Sequence, residues 1–217
     1  ASGTDAGRDT DTLVFGTNGD PNTLDPADSA INDADQLNFT IYEGLLRFAT
    51  DMRIVGGLAD RWSVNASGLR YVFHLRPGVK FHDGSPLTGA AVRESFLRVL
   101  DPRTTGGRAW PLLPLDGARE YATGTTSGVR GIALLGDSAV VLTLAEPLAV
   151  FPKFLAMPVA SIVPTTAGDL NLHPNGTGPW RFVSWAHDDA LRLARNPEYW
   201  DGAPRADSLT VRVIPDQ

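Results

Sequence analysis

The stretch 69–81 constrains the fold more than any other part of this chain. Leu69, Tyr71, Phe73 and Leu75 alternate with Arg70, Val72, His74 and Arg76, the period-two pattern of a strand with one face in a core. Arg76-Pro77-Gly78-Val79 follows, with Pro and Gly where a type II turn needs them. Val79 and Phe81 then continue the apolar face as far as Asp83-Gly84. The 22 Gly and 16 Pro among 217 residues agree with a turn-rich chain and point away from a helical bundle.

The remaining segments divide between helix and strand. Leu13-Val14-Phe15-Gly16-Thr17 reads as a short buried strand, followed by turn chemistry at Asn18-Gly19-Asp20-Pro21-Asn22. Leu37, Ile41 and Leu45 recur every four residues and predict a helix over 33–46, with Asn32 or Asp33 as cap and Gly44 near its end. Thr88 caps a second helix that buries Val92, Phe96, Val99 and Leu100. Glu94 and Arg98 are expected to pair on its wet face, and Asp101-Pro102 stops it. A short helix is expected within 110–121 and another over 148–156, with Pro152 in its first turn. Segments 132–135 and 139–144 flank Gly136-Asp137 as a hairpin, 159–163 reads as a strand, and 180–185 and 190–195 as two strands joined by His187-Asp188-Asp189. Leu209, Val211 and Val213 alternate as the last strand. The order is mixed α and β.

Composition removes whole classes of function. The size relations give about 70% of the unfolded chain's surface buried on folding, enough for a core without disulfides or metal. A net charge of −6 offers no counterion-release drive toward a phosphate backbone, so nucleic acid is not an expected partner. With no Cys, thiolate nucleophiles and Cys-ligated zinc are excluded. No apolar run approaches the 18 residues needed to span a membrane. Residues 1–12 contain no apolar side chain larger than Ala and read as a flexible tether rather than an export signal. The G-x-S-x-G, Walker and G-x-G-x-x-G patterns are missing. His74 and His82 have only Asp83 as an adjacent third ligand, and Asp188-Asp189 read better as a solvated turn than as paired catalytic carboxylates. No metal and no cofactor is expected.

Several segments stand out when taken together. They are Pro21-Asn22-Thr23-Leu24-Asp25-Pro26, Tyr42-Glu43-Gly44-Leu45-Leu46-Arg47-Phe48, Gly57-Leu58-Ala59-Asp60-Arg61-Trp62, and the block from Tyr71 to Gly84. Pro86-Leu87-Thr88 and Leu100-Asp101-Pro102 follow. Late in the chain come Gly176-Thr177-Gly178-Pro179-Trp180, Arg195-Asn196-Pro197-Glu198-Tyr199-Trp200 and Val211-Arg212-Val213-Ile214-Pro215-Asp216. Singly each is weak; in this order over 13–216 they are specific, and together they resemble a known family, the extracellular solute-binding proteins of ABC importers for peptides, nickel chelates and related solutes. Where the family carries an acidic residue early in the second helix, this chain has Ala91 or its neighbour.

The resemblance implies an α+β fold: lobe I of a two-lobed, type II periplasmic-binding-protein architecture, with a mixed sheet and a hairpin-rich subdomain. Residues 13–217 would form this lobe. Family members continue past the position of Pro215-Asp216 into a second lobe, which supplies much of the pocket. The implied function is capture of an oligopeptide or similar small solute outside the cytoplasmic membrane for delivery to an ABC permease. No bond is made or broken, and the protein is at most lipid-anchored. The competing reading is a lobe-only module that docks a permease or partner chain without binding solute.

Loops at strand ends are the expected solute contacts, since glycine admits close backbone approach and Asn or Thr adds a polar handle. Asn18 and Gly19 form one such group and Asn175, Gly176 and Thr177 another, the latter equally readable as a structural tight turn. Trp110 matches a position where family members place a pocket aromatic, and packing explains it equally well. Trp62, Trp185 and Trp200 read as packing.

Overall fold

The computed structural model describes residues 11–29, 32–104 and 107–214. Positions 1–10 of the expected tether, the Asn32 and Asp33 cap side chains and Pro215-Asp216 lie outside the described residues. Thr12 is already in a strand.

Two sheets organise the chain, each with its own core. In chain order the elements begin with β1 (Thr12–Thr17), α1 (Asn32–Ile41), the small hairpin β2 (Leu46–Phe48) and β3 (Ile54–Gly56), and then β4 (Ala59–Val64) and β5 (Arg70–Leu75). Next come α2 (Gly89–Leu100), α3 (Ala118–Ala122), β6 (Ile132–Leu134), β7 (Ala139–Thr143) and α4 (Phe151–Phe154). The chain closes with β8 (Trp180–Ala186), β9 (Ala190–Arg195) and β10 (Ser208–Val213). One four-stranded sheet runs β4-β5-β7-β6, all antiparallel; the other runs β1-β10-β9-β8, with β1 parallel to β10 and the remaining pairs antiparallel.

The first sheet follows its sequence pattern closely. Tyr71, Phe73 and Leu75 face inward, Gly78 takes the left-handed φ of 78° that its turn needs, and Val79 and Phe81 are buried. Helix α2 lays Val92, Phe96, Val99 and Leu100 on this core. It begins where Thr88 Oγ1 accepts the Ala91 N–H at 3.2 Å, satisfying one of the donors that a helix start leaves open.

The second core packs Leu37, Ile41 and Tyr42 of the α1 region against Leu191, Leu193, Leu209 and Val211. Three expectations change here and at the seam. Strand β1 forms but is not buried: Leu13, Val14 and Phe15 are 54, 60 and 51% exposed, because among the described residues β1 is an edge paired only with β10. Helix α1 stops at Ile41 instead of 46, since the chain turns inward to bring Gly44 against the Leu155 carbonyl, which a Cβ would meet at 2.5 Å. Segment 159–163 is buried but is no strand. Residues 158–160 make a 3₁₀ turn, and the Ile162 and Val163 N–H groups go to the Glu43 carbonyl and Ser95 Oγ instead of a ladder. A fourth change lies on α2: Arg98 does not pair with Glu94 but reaches Asp25, and Glu94 pairs with Arg93.

Candidate functional site

The loop after β1 emerges where β1 and β10 both end, Thr17 opposite Val213. Ligands of open α/β sheets gather outside such carboxyl ends. Asn18 is exposed and Gly19 half-buried, with Thr17 Oγ1 donating to the Gly19 carbonyl at 3.3 Å. The next residue fixes the loop. Asp20 accepts from Trp185 Nε1–H at 2.9 Å and bonds His187 Nδ1 at 2.8 Å, tying the loop to the β8–β9 hairpin.

Trp110 stands on the other core. Its indole is 48% exposed and meets Phe154 edge-on, with centroids 5.0 Å apart. Two residues earlier, Arg108 donates to the Ser29 carbonyl at 3.0 Å. Ser29 follows a segment, 23–27, held by several hydrogen bonds. Asn171 Oδ1 accepts from Thr23 Oγ1 and Leu24 N–H, and Asp25 Oδ1 takes the Ala27 N–H at 2.9 Å. Both oxygens of Asp25 are gripped by the Arg98 guanidinium. Burial works against the Arg98 charge, and its hydrogen bonds and attraction to Asp25 outweigh that, so its pKa rises. This fork-on-fork pair joins the two cores.

Residues 175–177 do different work. Asn175 Nδ2 donates to Asp83 at 2.7 Å, Thr177 Oγ1 to Glu43 at 2.8 Å, and the His82 N–H to the Gly176 carbonyl. Gly176 lies so close to the end of α1 that a Cβ would sit 2.1 Å from the Ile41 carbonyl oxygen. His82 Nε2 is 2.9 Å from the Gly178 carbonyl, so that nitrogen carries the proton and Nδ1 faces the Gly176 N–H. Burial lowers the His82 pKa to about 4, with the Gly178 bond opposing it, and keeps the ring neutral at pH 7. This strap leads into Trp180, which pairs with Arg195, and Arg195 bonds the Asp207 carbonyl just before β10. Asn18 follows the far end of the same sheet, about 20 Å away over six residues. The structure therefore does not bring 175–177 together with Asn18 and Gly19.

Sequence reasoning missed Glu43. Its carboxylate accepts from Thr177, from Tyr199 OH at 2.9 Å and from Trp200 Nε1–H at 3.0 Å. Burial pushes its pKa up, and these donors restrain the rise. Trp200 lies between the guanidiniums of Arg76 and Arg47, at 3.9 and 5.0 Å. A cleft of about 480 Å³ opens beside Glu43, lined by Phe39, Phe48, Met52 and Tyr199. The signal was an acidic residue inside the apolar run 41–46. Among the described residues no three His, Asp or Glu side chains converge as a metal site, and no helix is long and apolar enough to cross a membrane.

The family model described as bacterial extracellular solute-binding proteins, family 5 Middle, matches residues 53–217. The chain belongs to this family. Curated relatives extend the match toward the N-terminus. A glutathione-binding protein of Pectobacterium atrosepticum is 33% identical over 200 residues, covering 89% of this chain and 36% of the relative. Di/tripeptide-binding protein 4 of Pseudomonas aeruginosa is 35% identical over 201 residues, 84% of this chain and 37% of its own. The chain thus spans just over a third of the length of these relatives. The Escherichia coli murein tripeptide binding protein shares the fold, with a TM-score of 0.87 at 24% identity over 95% of this chain and 42% of that one. The fold is α+β, a lobe of the peptide-binding-protein architecture, and the family is one of solute binders rather than enzymes.

Proposed function

We propose that this chain is one lobe of the solute-binding component of an ABC importer, working outside the cytoplasmic membrane on glutathione-sized peptides or similar small solutes. The observation that carries the reading is the alignment of most of this chain with relatives named for binding glutathione and di- or tripeptides. The half-exposed indole of Trp110 supports it, as an apolar face kept open for a ligand. In this reading Asn18 and Gly19 offer polar backbone and amide groups, and Trp110 offers the apolar wall. Asn175, Gly176 and Thr177 contribute by fastening the strap that sets β8. A second lobe closes over the solute by hinge motion, and a permease receives it.

Calorimetry with glutathione and a di- and tripeptide panel tests this. The protein carrying a second lobe should bind at least one of them at micromolar levels. The 217-residue chain should bind about a thousandfold more weakly, since loss of one wall on the order of 4 kcal/mol moves a micromolar complex to the millimolar range. Micromolar binding by this chain alone, unaffected by Trp110→Ala, would overturn both the half-site and its residues.

A further inference from the structure

We propose that Arg108 is a positioning residue for Trp110: by gripping the Ser29 carbonyl it makes the indole and the 23–29 segment one unit. The proposal rests on the reading of Trp110 as a solute contact. On its C-terminal side Trp110 is held by buried Pro111 and Leu112 and by the Leu112 N–H bond to the Ala109 carbonyl. On its N-terminal side stands Gly107, with a left-handed φ of 63° and nothing within 4 Å of where a Cβ would be. Such a residue leaves the backbone free to swing, so the anchor before the indole is the Arg108 guanidinium.

The far end of that anchor is firm. Ser29 is fully buried, and a buried carbonyl needs a donor. Behind it, Ala27 and Asp25 are bonded to each other, Asp25 is clamped by Arg98, and Thr23 and Leu24 are bonded to Asn171. Arg98 lies on α2 and Asn171 lies beyond the 3₁₀ turn, so the platform is referenced to both cores. A 1 Å misplacement of a wall residue is enough to weaken a bound geometry. Phe154 meets the ring edge-on and gives it a surface to lean on.

The experiment is fluorine NMR on protein labelled with fluorotryptophan, which carries five resonances for its five Trp; loss of one in Trp110→Phe assigns it. Arg108→Ala should shift or broaden the Trp110 resonance and leave those of Trp185 and Trp200 in place, with the melting temperature held within a few degrees. Arg108→Lys should restore part of the effect, and Arg130→Ala, an exposed ion-pair residue in the same subdomain, should do nothing. In the two-lobed protein, Arg108→Ala should weaken glutathione or tripeptide binding about tenfold. An unmoved Trp110 resonance overturns the proposal whatever the solute does. A moved resonance in a protein whose wild type binds no peptide overturns the functional reading and upholds Arg108 as the anchor. A moved resonance with unchanged affinity removes Trp110 from the solute wall.

Discussion

The two sheets each carry a strongly apolar strand, and these two strands end in opposite conditions. In β5 both edges are paired, with β4 and β7, its apolar face shares a core with α2, and Phe73 has no exposure at all. In β1 the apolar residues Leu13, Val14 and Phe15 are more than half exposed on both faces. Apolar pattern tells which residues suit a core. It does not tell which of them the rest of the described chain covers. The first sheet is a self-sufficient core, and the second is a core with one open side.

The sharpest way to break that comparison is a pair of truncations. Phe73→Ala in β5, fully buried, should cost about 3–5 kcal/mol of unfolding free energy by urea titration, whereas Phe15→Ala in β1 should cost less than about 1 kcal/mol. Equal losses would mean that β1 is as buried as β5. Next in size is acid. The unfolded chain binds more protons than the folded one between the ordinary His value near 6.5 and the His82 value of about 4. Stability should therefore fall as pH drops through that window, by about 3 kcal/mol at its lower end. Glu43, raised by burial, acts in the opposite sense over the range just above the ordinary Glu value. The test is accordingly the difference between wild type and His82→Gln, which should lose most of the acid sensitivity. Identical pH curves would acquit His82.

At the seam, Asp25→Ala leaves the part-buried Arg98 unpaired and should cost about 2–3 kcal/mol, and it should also disturb the Trp110 environment. A destabilised variant with an unmoved Trp110 would separate the seam from the site. The smallest effect concerns association. Among the described residues the outer edge of β1 has no strand beside it and carries apolar side chains, which invites strand addition. Sedimentation should show concentration-dependent self-association that Val14→Lys suppresses, and a strictly monomeric profile at high concentration would count against a sticky edge.

Legibility in the sequence followed the range of the forces involved. Local signals gave β5, its turn at Gly78, the Thr88 cap and both late hairpins, because each depends on residues within a few positions. The end of α1 at Ile41 and the loss of a strand at 159–163 depend on partners far along the chain, Leu155 and Ser95 among them. Arg98 shows the same rule: local spacing assigned it to Glu94, and a carboxylate 73 positions away won. For the site, the turn chemistry at Asn18-Gly19 and the odd aromatic at Trp110 were readable. The division between the two ends of the sheet was not, since it follows from which strands pair.

The parallel pairing of β1 with β10 also sets a timetable. Thr12 and Ser208 are 196 positions apart, so β1 meets the strand it pairs with among the described residues only after the intervening chain has been made. At roughly 5–20 residues per second, Leu13-Val14-Phe15 waits on the order of 10–40 s before β10 exists. Closing a loop of that length then adds about 5 kcal/mol of entropic cost to the step, while the β5 hairpins have long been free to form. Strand order thus lets the β5 sheet assemble before β1 has anything among the described residues to pair with.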